Sequence, residues 1–255
     1  TPYQFGVYSK IRKVEADREK NAKKQARKKQ GDDLFTISST YRIFSRAACN
    51  IVFPEGIERP VPNVVEDKID ENIVDVVPEE LAREVDVYSN IDDEPNEITE
   101  VDQNNYAKRI ETALTQISEV DPDTTRSKYL TPDNLQHISP KFYSILENLT
   151  NNDYRGLHLL YSHFRTIEGI GLMKLILLAN GFAEFKIQKQ GDTWELIEEE
   201  KDRGKPTFVL YTGTETAEEK EVIRNVYNGD WGLVPLAITN KLKERADNNI
   251  YGDII

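Results

Sequence analysis

Gly156-Leu157-His158-Leu159-Leu160-Tyr161-Ser162-His163-Phe164-Arg165 is the stretch whose reading decides the fold. Leu157, Leu159, Leu160, Tyr161 and Phe164 are large and apolar, with little polar alternation between them. A short apolar run ended by a polar cluster reads as a strand buried on both faces, as in a parallel sheet. Downstream, Thr166 can cap a helix, apolar residues continue from Ile167 to Ala179, and Asn180-Gly181 stops them. The expected unit is strand, polar turn, helix. In such units ligands meet the turn at the carboxyl end of the strand, here Ser162, His163, Arg165 and Thr166.

A second unit of this kind follows. Pro206 precedes Thr207-Phe208-Val209-Leu210-Tyr211, which ends in Thr212-Gly213-Thr214. Thr216 with Glu219 then forms a capping box, and the helix it opens carries Val222, Ile223, Val226 and Tyr227 before Asn228-Gly229. Between the two units, Phe185 and Ile187 alternate with Glu184, Lys186 and Gln188. Gln190-Gly191-Asp192 turns the chain, and Trp194 and Leu196 return it, which predicts a β-hairpin. Pro235 opens a last helix past Leu242. Ahead of the opening stretch, Ser139-Pro140 starts a helix with Phe142, Ile145, Leu146 and Leu149 on one face. Earlier helical signals run from Tyr106 to Ile117 and from Thr131-Pro132 through Leu135.

The N-terminal part differs in character. Thr1-Pro2 opens a helix in which Tyr3, Val7, Ile11 and Val14 recur at helical spacing. Beyond Val14 the large apolar residues stop, so the first half should dock and the second half should project. Lys10 to Lys29 carries 10 Lys/Arg against 3 Asp/Glu. Gly31-Asp32-Asp33 breaks this helix, and Ser39 to Asn50 reads as a short one, in which Cys49 is expected to pack. Residues 61–101 hold 14 Asp/Glu against 2 Lys/Arg, one aromatic and no sustained period, which predicts a mobile acidic insertion. The net charge of -12 is therefore an average of opposite blocks and does not exclude a polyanionic partner.

Composition agrees with a partly unfolded chain. The apolar fraction is 38%, against the usual ~45–50%. One cysteine excludes an internal disulfide framework and fits a reducing, intracellular compartment. No apolar run approaches the ~20 residues that span a bilayer, so no membrane role is expected. The expected class is α/β: a partial parallel sheet with flanking helices, after an N-terminal helical region and an acidic insertion. The organisation expected is a helical arm and connector at 1–60, the insertion at 61–104, a helical linker at 105–138 and an α/β domain at 139–255. The ends, without an initiator Met and with Gly252-Asp253-Ile254-Ile255 resembling a strand start, point to a piece of something longer.

Bond chemistry is not legible. A Gly-x-x-x-x-Gly-Lys-Ser/Thr loop is lacking, because Gly204-Lys205 is followed by Pro206. Gly169 and Gly171 lie within an apolar helical run. His137, His158 and His163 have no zinc-type partners, so no metal ligand and no catalytic residue is expected. The two turns remain. Hydroxyls, backbone N–H groups near helix N-termini and an Arg suit phosphate oxygens, and Lys141 in the first turn of its helix can join them.

At these residues the chain resembles a known family. Ser139-Pro140-Lys141-Phe142, Leu159-Leu160-Tyr161-Ser162-His163-Phe164, Leu210-Tyr211-Thr212-Gly213 and the helix Glu218 to Asn228 are similar to the second RecA-like lobe of superfamily-two helicases, with spacing closest to the Swi/Snf-type branch. Arg46-Ala47-Ala48-Cys49-Asn50 resembles the Arg-x-x-Cys-Asn helix that links the lobes there. Tyr41 to Arg46, Val52-Phe53-Pro54 and Arg59-Pro60 resemble helicase-like ATPases of nucleocytoplasmic large DNA viruses. The resemblance implies a truncated second lobe that contacts DNA or RNA through Ser162, His163, Arg165, Thr212, Gly213 and Lys141. It implies ATP and Mg in the full-length protein, and none bound by this part alone. The phosphate loop and Asp-Glu motif would precede Thr1, and the arginine-finger motif would follow Ile255. It also implies viral transcription or genome handling, in a host cytoplasmic viral factory, the nucleus or the virion. The competing expectation is a non-enzymatic interaction module that docks on transcription machinery. A doubly wound small-molecule enzyme is weaker, for want of perturbed acids.

Overall fold

The computed structural model of the protein describes residues 1–28, 42–60, 100–164, 166–191, 193–211 and 215–245. It divides into two units, Thr1–Tyr143 with Ser162–Leu172, and Ser144–Tyr161 with Met173–Ile255. The acidic block predicted as an insertion falls outside the described residues as far as position 99.

The first unit is helical. Helix α1 spans Pro2–Lys28 and α2 spans Ile43–Asn50. Thr1 Oγ1 caps α1 by accepting from Gln4 N (3.2 Å), as the Thr-Pro start predicts. The docking half of α1 is held by Tyr3 Oη donating to Phe53 O (2.7 Å) and Gln4 Nε2 donating to Ala48 O (2.9 Å). Val14 is already exposed, so the docked stripe ends where the large apolar residues do. Helix α2 begins at Ile43, just after Arg42 in the left-handed region (φ 56°). Cys49 is exposed, contrary to the packing role expected of it: it points away from the buried face of Ala47 and Ala48. Helix α3 spans Glu100–Ile117, starting ahead of Tyr106, and buries Ile110, Ala113 and Ile117. Helices α4 (Pro132–Ile138) and α5 (Pro140–Thr150, of which Pro140–Tyr143 belongs to this unit) follow, both opened by proline as predicted.

The second unit contains the sheet. Helix α6 spans Ile170–Ala179. Strand β1 (Ala183–Glu184) lies parallel to β4 (Thr207–Phe208), with Ala183 opposite Thr207 and Glu184 opposite Phe208. Strands β2 (Lys186–Gln190) and β3 (Thr193–Ile197) form the predicted antiparallel hairpin, with Ile187 opposite Leu196. Gly191 turns it at φ 59°, where a side chain would be strained. Helix α7 spans Ala217–Asn228, capped by Thr216 Oγ1 accepting from Glu219 N (3.2 Å) and ended by Gly229 at φ 74°. Helix α8 spans Leu236–Lys243. Phe185, Ile187, Trp194, Leu196, Val222, Ile223, Val226, Ile238 and Leu242 make one core. Glu218 ties the hairpin to α7, accepting from Trp194 Nε1 (2.9 Å) and Lys189 Nζ (2.7 Å). Those bonds, Lys189 first and then Trp194, hold its carboxyl below the ordinary value. The chain is thus α/β, with a small parallel pair and flanking helices, consistent with a partial RecA-like fold.

Two strand predictions are corrected. Residues 157–161 carry no regular secondary structure and pair in no ladder, and they are not buried: Leu159 is 90% and Tyr161 73% exposed. Thr207–Tyr211 contributes only its first two residues to a ladder and is half-buried, with Tyr211 exposed. An apolar run becomes a buried strand only where neighbours supply hydrogen bonds along both edges and cover both faces. Among the described residues no strand flanks 157–161. The helix predicted from Ile167 starts instead at Ile170, because residues 166–169 bend.

Candidate functional site

Asn50, the last residue of α2, sits at a polar crossing in the first unit. Its Nδ2 donates to Glu168 O (2.9 Å), and its Oδ1 accepts from Lys141 Nζ (2.7 Å). Its backbone O accepts from Ser139 Oγ, which also accepts from Phe142 N (3.0 Å) and so caps α5. Val52 N donates to Ile138 O (3.0 Å) alongside. Ser139 and Asn50 are buried, and at such positions an unmet hydrogen bond costs about 1–3 kcal/mol. Ser139 and Asn50 are therefore required by the geometry.

Glu168 stands next to this crossing. It is 4% exposed, and its carboxylate pairs with Arg59, whose Nε meets Oε1 and whose Nη2 lies 3.3 Å from Oε2. Arg59 also donates from Nη1 to Pro60 O (2.9 Å) and lies 5.1 Å from the centre of the Phe44 ring. The pair lines a cavity of about 180 Å³, together with Val7, Ile11, Phe44, Ile51 and Ile57. Sequence reasoning missed Glu168. Its one signal was a lone acid inside the apolar run Ile167 to Ala179.

Glu168 is held in place by the bend that precedes α6. Ile170 N donates to Phe164 O (3.1 Å), and Leu172 N donates to Thr166 O (3.0 Å). A Cβ on Gly169 would lie 1.6 Å from Phe164 O, so only glycine fits there. Gly169 is thus the closest backbone approach in the turn, not a helix-interior residue.

The expected strand-contacting residues divide between described and undescribed positions. Ser162 Oγ accepts from Phe164 N (3.1 Å), and His163 is exposed beside it. Lys141 lies on the first turn of α5, with its ammonium on Asn50. An ammonium has three donors, of which Asn50 takes one among the described residues. Arg165, Thr212 and Gly213 fall outside the described residues. Just before the second turn, the exposed Tyr211 ring lies 5.7 Å from Lys220 Nζ. Among the described residues, no cluster of three His, Cys, Asp or Glu could hold a metal ion. None of the described helices is long and apolar enough to cross a membrane.

No family model matches the chain, and no solved structure matches it. Among curated proteins, the chain is 25% identical over 221 residues to a candidate ATP-dependent RNA helicase of Acanthamoeba polyphaga mimivirus. The match covers 74% of this chain and 25% of that protein, so the chain spans a quarter of its relative's length. Together with the α/β fold, this similarity supports a helicase-like relationship.

Proposed function

We propose that the chain is part of an ATP-dependent nucleic-acid helicase or translocase, and that it supplies strand-contacting turns of a second RecA-like lobe. The observation that carries this reading is the crossing at Asn50. The Arg46–Asn50 helix and the Ser139-Pro140-Lys141 helix start are about ninety positions apart in the chain, and both resemble motor motifs. They meet through Ser139 Oγ on Asn50 O and Lys141 Nζ on Asn50 Oδ1. Unrelated local resemblances have no reason to meet in this way. The similarity to the mimivirus protein, named as an RNA helicase, supports the same class.

In this reading Ser162, His163 and Arg165 contact phosphates from one turn and Thr212 and Gly213 from the other. Lys141 adds a point charge. ATP and Mg act in the intact protein, between this lobe and another. The test is single-strand binding by the intact protein. Arg165→Ala with Thr212→Ala should weaken affinity and flatten its dependence on salt, since fewer counterions are released. Unchanged affinity and slope would refute the reading.

A further inference from the structure

We infer that the outer face of α1 is a second nucleic-acid contact, a basic stripe that binds the phosphate backbone without reading sequence. This rests on the proposed nucleic-acid role but concerns a different surface from the two turns. The inner face of α1 is fixed by what it docks on. Tyr3 and Gln4 donate to Phe53 O and Ala48 O, Val7 and Ile11 line the cavity, and Glu15 Oε1 accepts from Ser45 N (3.1 Å). At 3.6 residues per turn these positions define one side, and positions 13, 20, 24 and 27 recur on the opposite one. Those positions are Lys13, Lys20, Lys24 and Arg27, and Lys13 and Lys20 are exposed.

The spacing suits a linear polyanion. Fourteen residues at 1.5 Å rise give a stripe about 21 Å long. A duplex carries one charge per ~1.7 Å of axis, so several phosphates lie within reach. From Arg18 to Lys29, seven Lys/Arg face a single acid, Glu19. Asp17 lies 3.4 Å from Lys20. Both are exposed, and such an i, i+3 pair contributes well under 1 kcal/mol, so a phosphate can displace it. Composition also selects the kind of partner. Residues 15–28 hold nothing apolar larger than alanine, and protein interfaces draw their energy from buried aromatic and aliphatic anchors. A face that offers only charge suits a ligand bound by charge.

The experiment uses the intact protein with Lys20→Gln, Lys24→Gln and Arg27→Gln together. Glutamine keeps helix propensity, and the substitutions avoid the docked face, so far-UV circular dichroism should be unchanged. Binding of a labelled oligothymidylate is measured across a salt series. The slope of log affinity against log salt should fall by about 2, from roughly 0.7 per lost contact on a single strand. An unchanged slope overturns the inference, whatever the Arg165→Ala, Thr212→Ala variant does. If the turn variant is silent while the arm variant loses slope, the arm contact stands and the reading of the turns fails. Saturable capture of a peptide of residues 61–101 by the arm, with oligonucleotide binding intact in the triple variant, also overturns it.

Discussion

Replacing Arg59 with methionine tests the electrostatics of the first unit most directly. The substitution leaves Glu168, 4% exposed, without its cation. Removing one partner of a buried ion pair costs about 3–5 kcal/mol, because the remaining charge stays desolvated. Arg59 keeps some solvent contact, which argues for the lower end, about 3 kcal/mol. The lost approach to the Phe44 ring adds about 0.5–1 kcal/mol. The double variant Arg59→Met, Glu168→Leu removes both charges, and an apolar pair of similar size at such a site is often neutral or better. It should therefore be more stable than Arg59→Met alone by about 2 kcal/mol or more. The assay is denaturant unfolding followed by far-UV circular dichroism, which reports on all the helices, α1 to α8. Both tryptophans, Trp194 and Trp231, lie in the second unit, so their fluorescence follows that unit separately. A single variant that loses under about 1 kcal/mol, or a double variant no more stable than the single, would refute the buried-pair argument.

Three further outcomes are expected. Gly169→Ala should cost more than about 3 kcal/mol or prevent folding, because its Cβ would overlap Phe164 O; thermal unfolding checks it, and a shift of under 1 kcal/mol would contradict the geometry. Leu159→Ser should change the stability of this chain by less than about 0.5 kcal/mol, whereas a buried strand leucine would lose about 2–5 kcal/mol, so chemical denaturation separates the two. Burial opposes ionisation of Glu184, but hydrogen bonds from Lys174 and Lys186 outweigh it and lower its pKa, so its stabilisation is present above the unfolded value of 4.5 and lost as pH falls through the folded one. Melting temperatures measured downward from pH 6 should therefore fall more steeply for the parent than for Glu184→Gln, and parallel profiles would contradict this.

Local signals were legible where a few adjacent residues decide the outcome. Thr1-Pro2, Thr216 with Glu219, Gly191 and Gly229 each fix a cap or a turn through their own chemistry, and all appear where the pattern puts them. The hairpin was legible because Ile187, Trp194 and Leu196 alternate inward at period two. The candidate site was less legible. Lys141 and Asn50 were visible as motif residues, but their contact joins positions 91 apart, which spacing does not reveal. Glu168 was invisible because its partner Arg59 is 109 positions away.

Gly156 to Phe164 separates the two kinds of information most clearly. Sequence alone determined that a polar turn follows this segment, where Ser162 Oγ accepts from Phe164 N, since that depends on nearby residues. Whether the segment becomes a buried strand was decided only by tertiary structure, because that requires ladder partners and covering helices from elsewhere. The described residues supply neither, so Leu159 and Tyr161 face solvent. The tertiary structure likewise made Gly169 a contact residue and Glu168 half of a buried ion pair. Burial and charge pairing depend on distance in space, and a chain's local pattern does not specify which distant residue arrives.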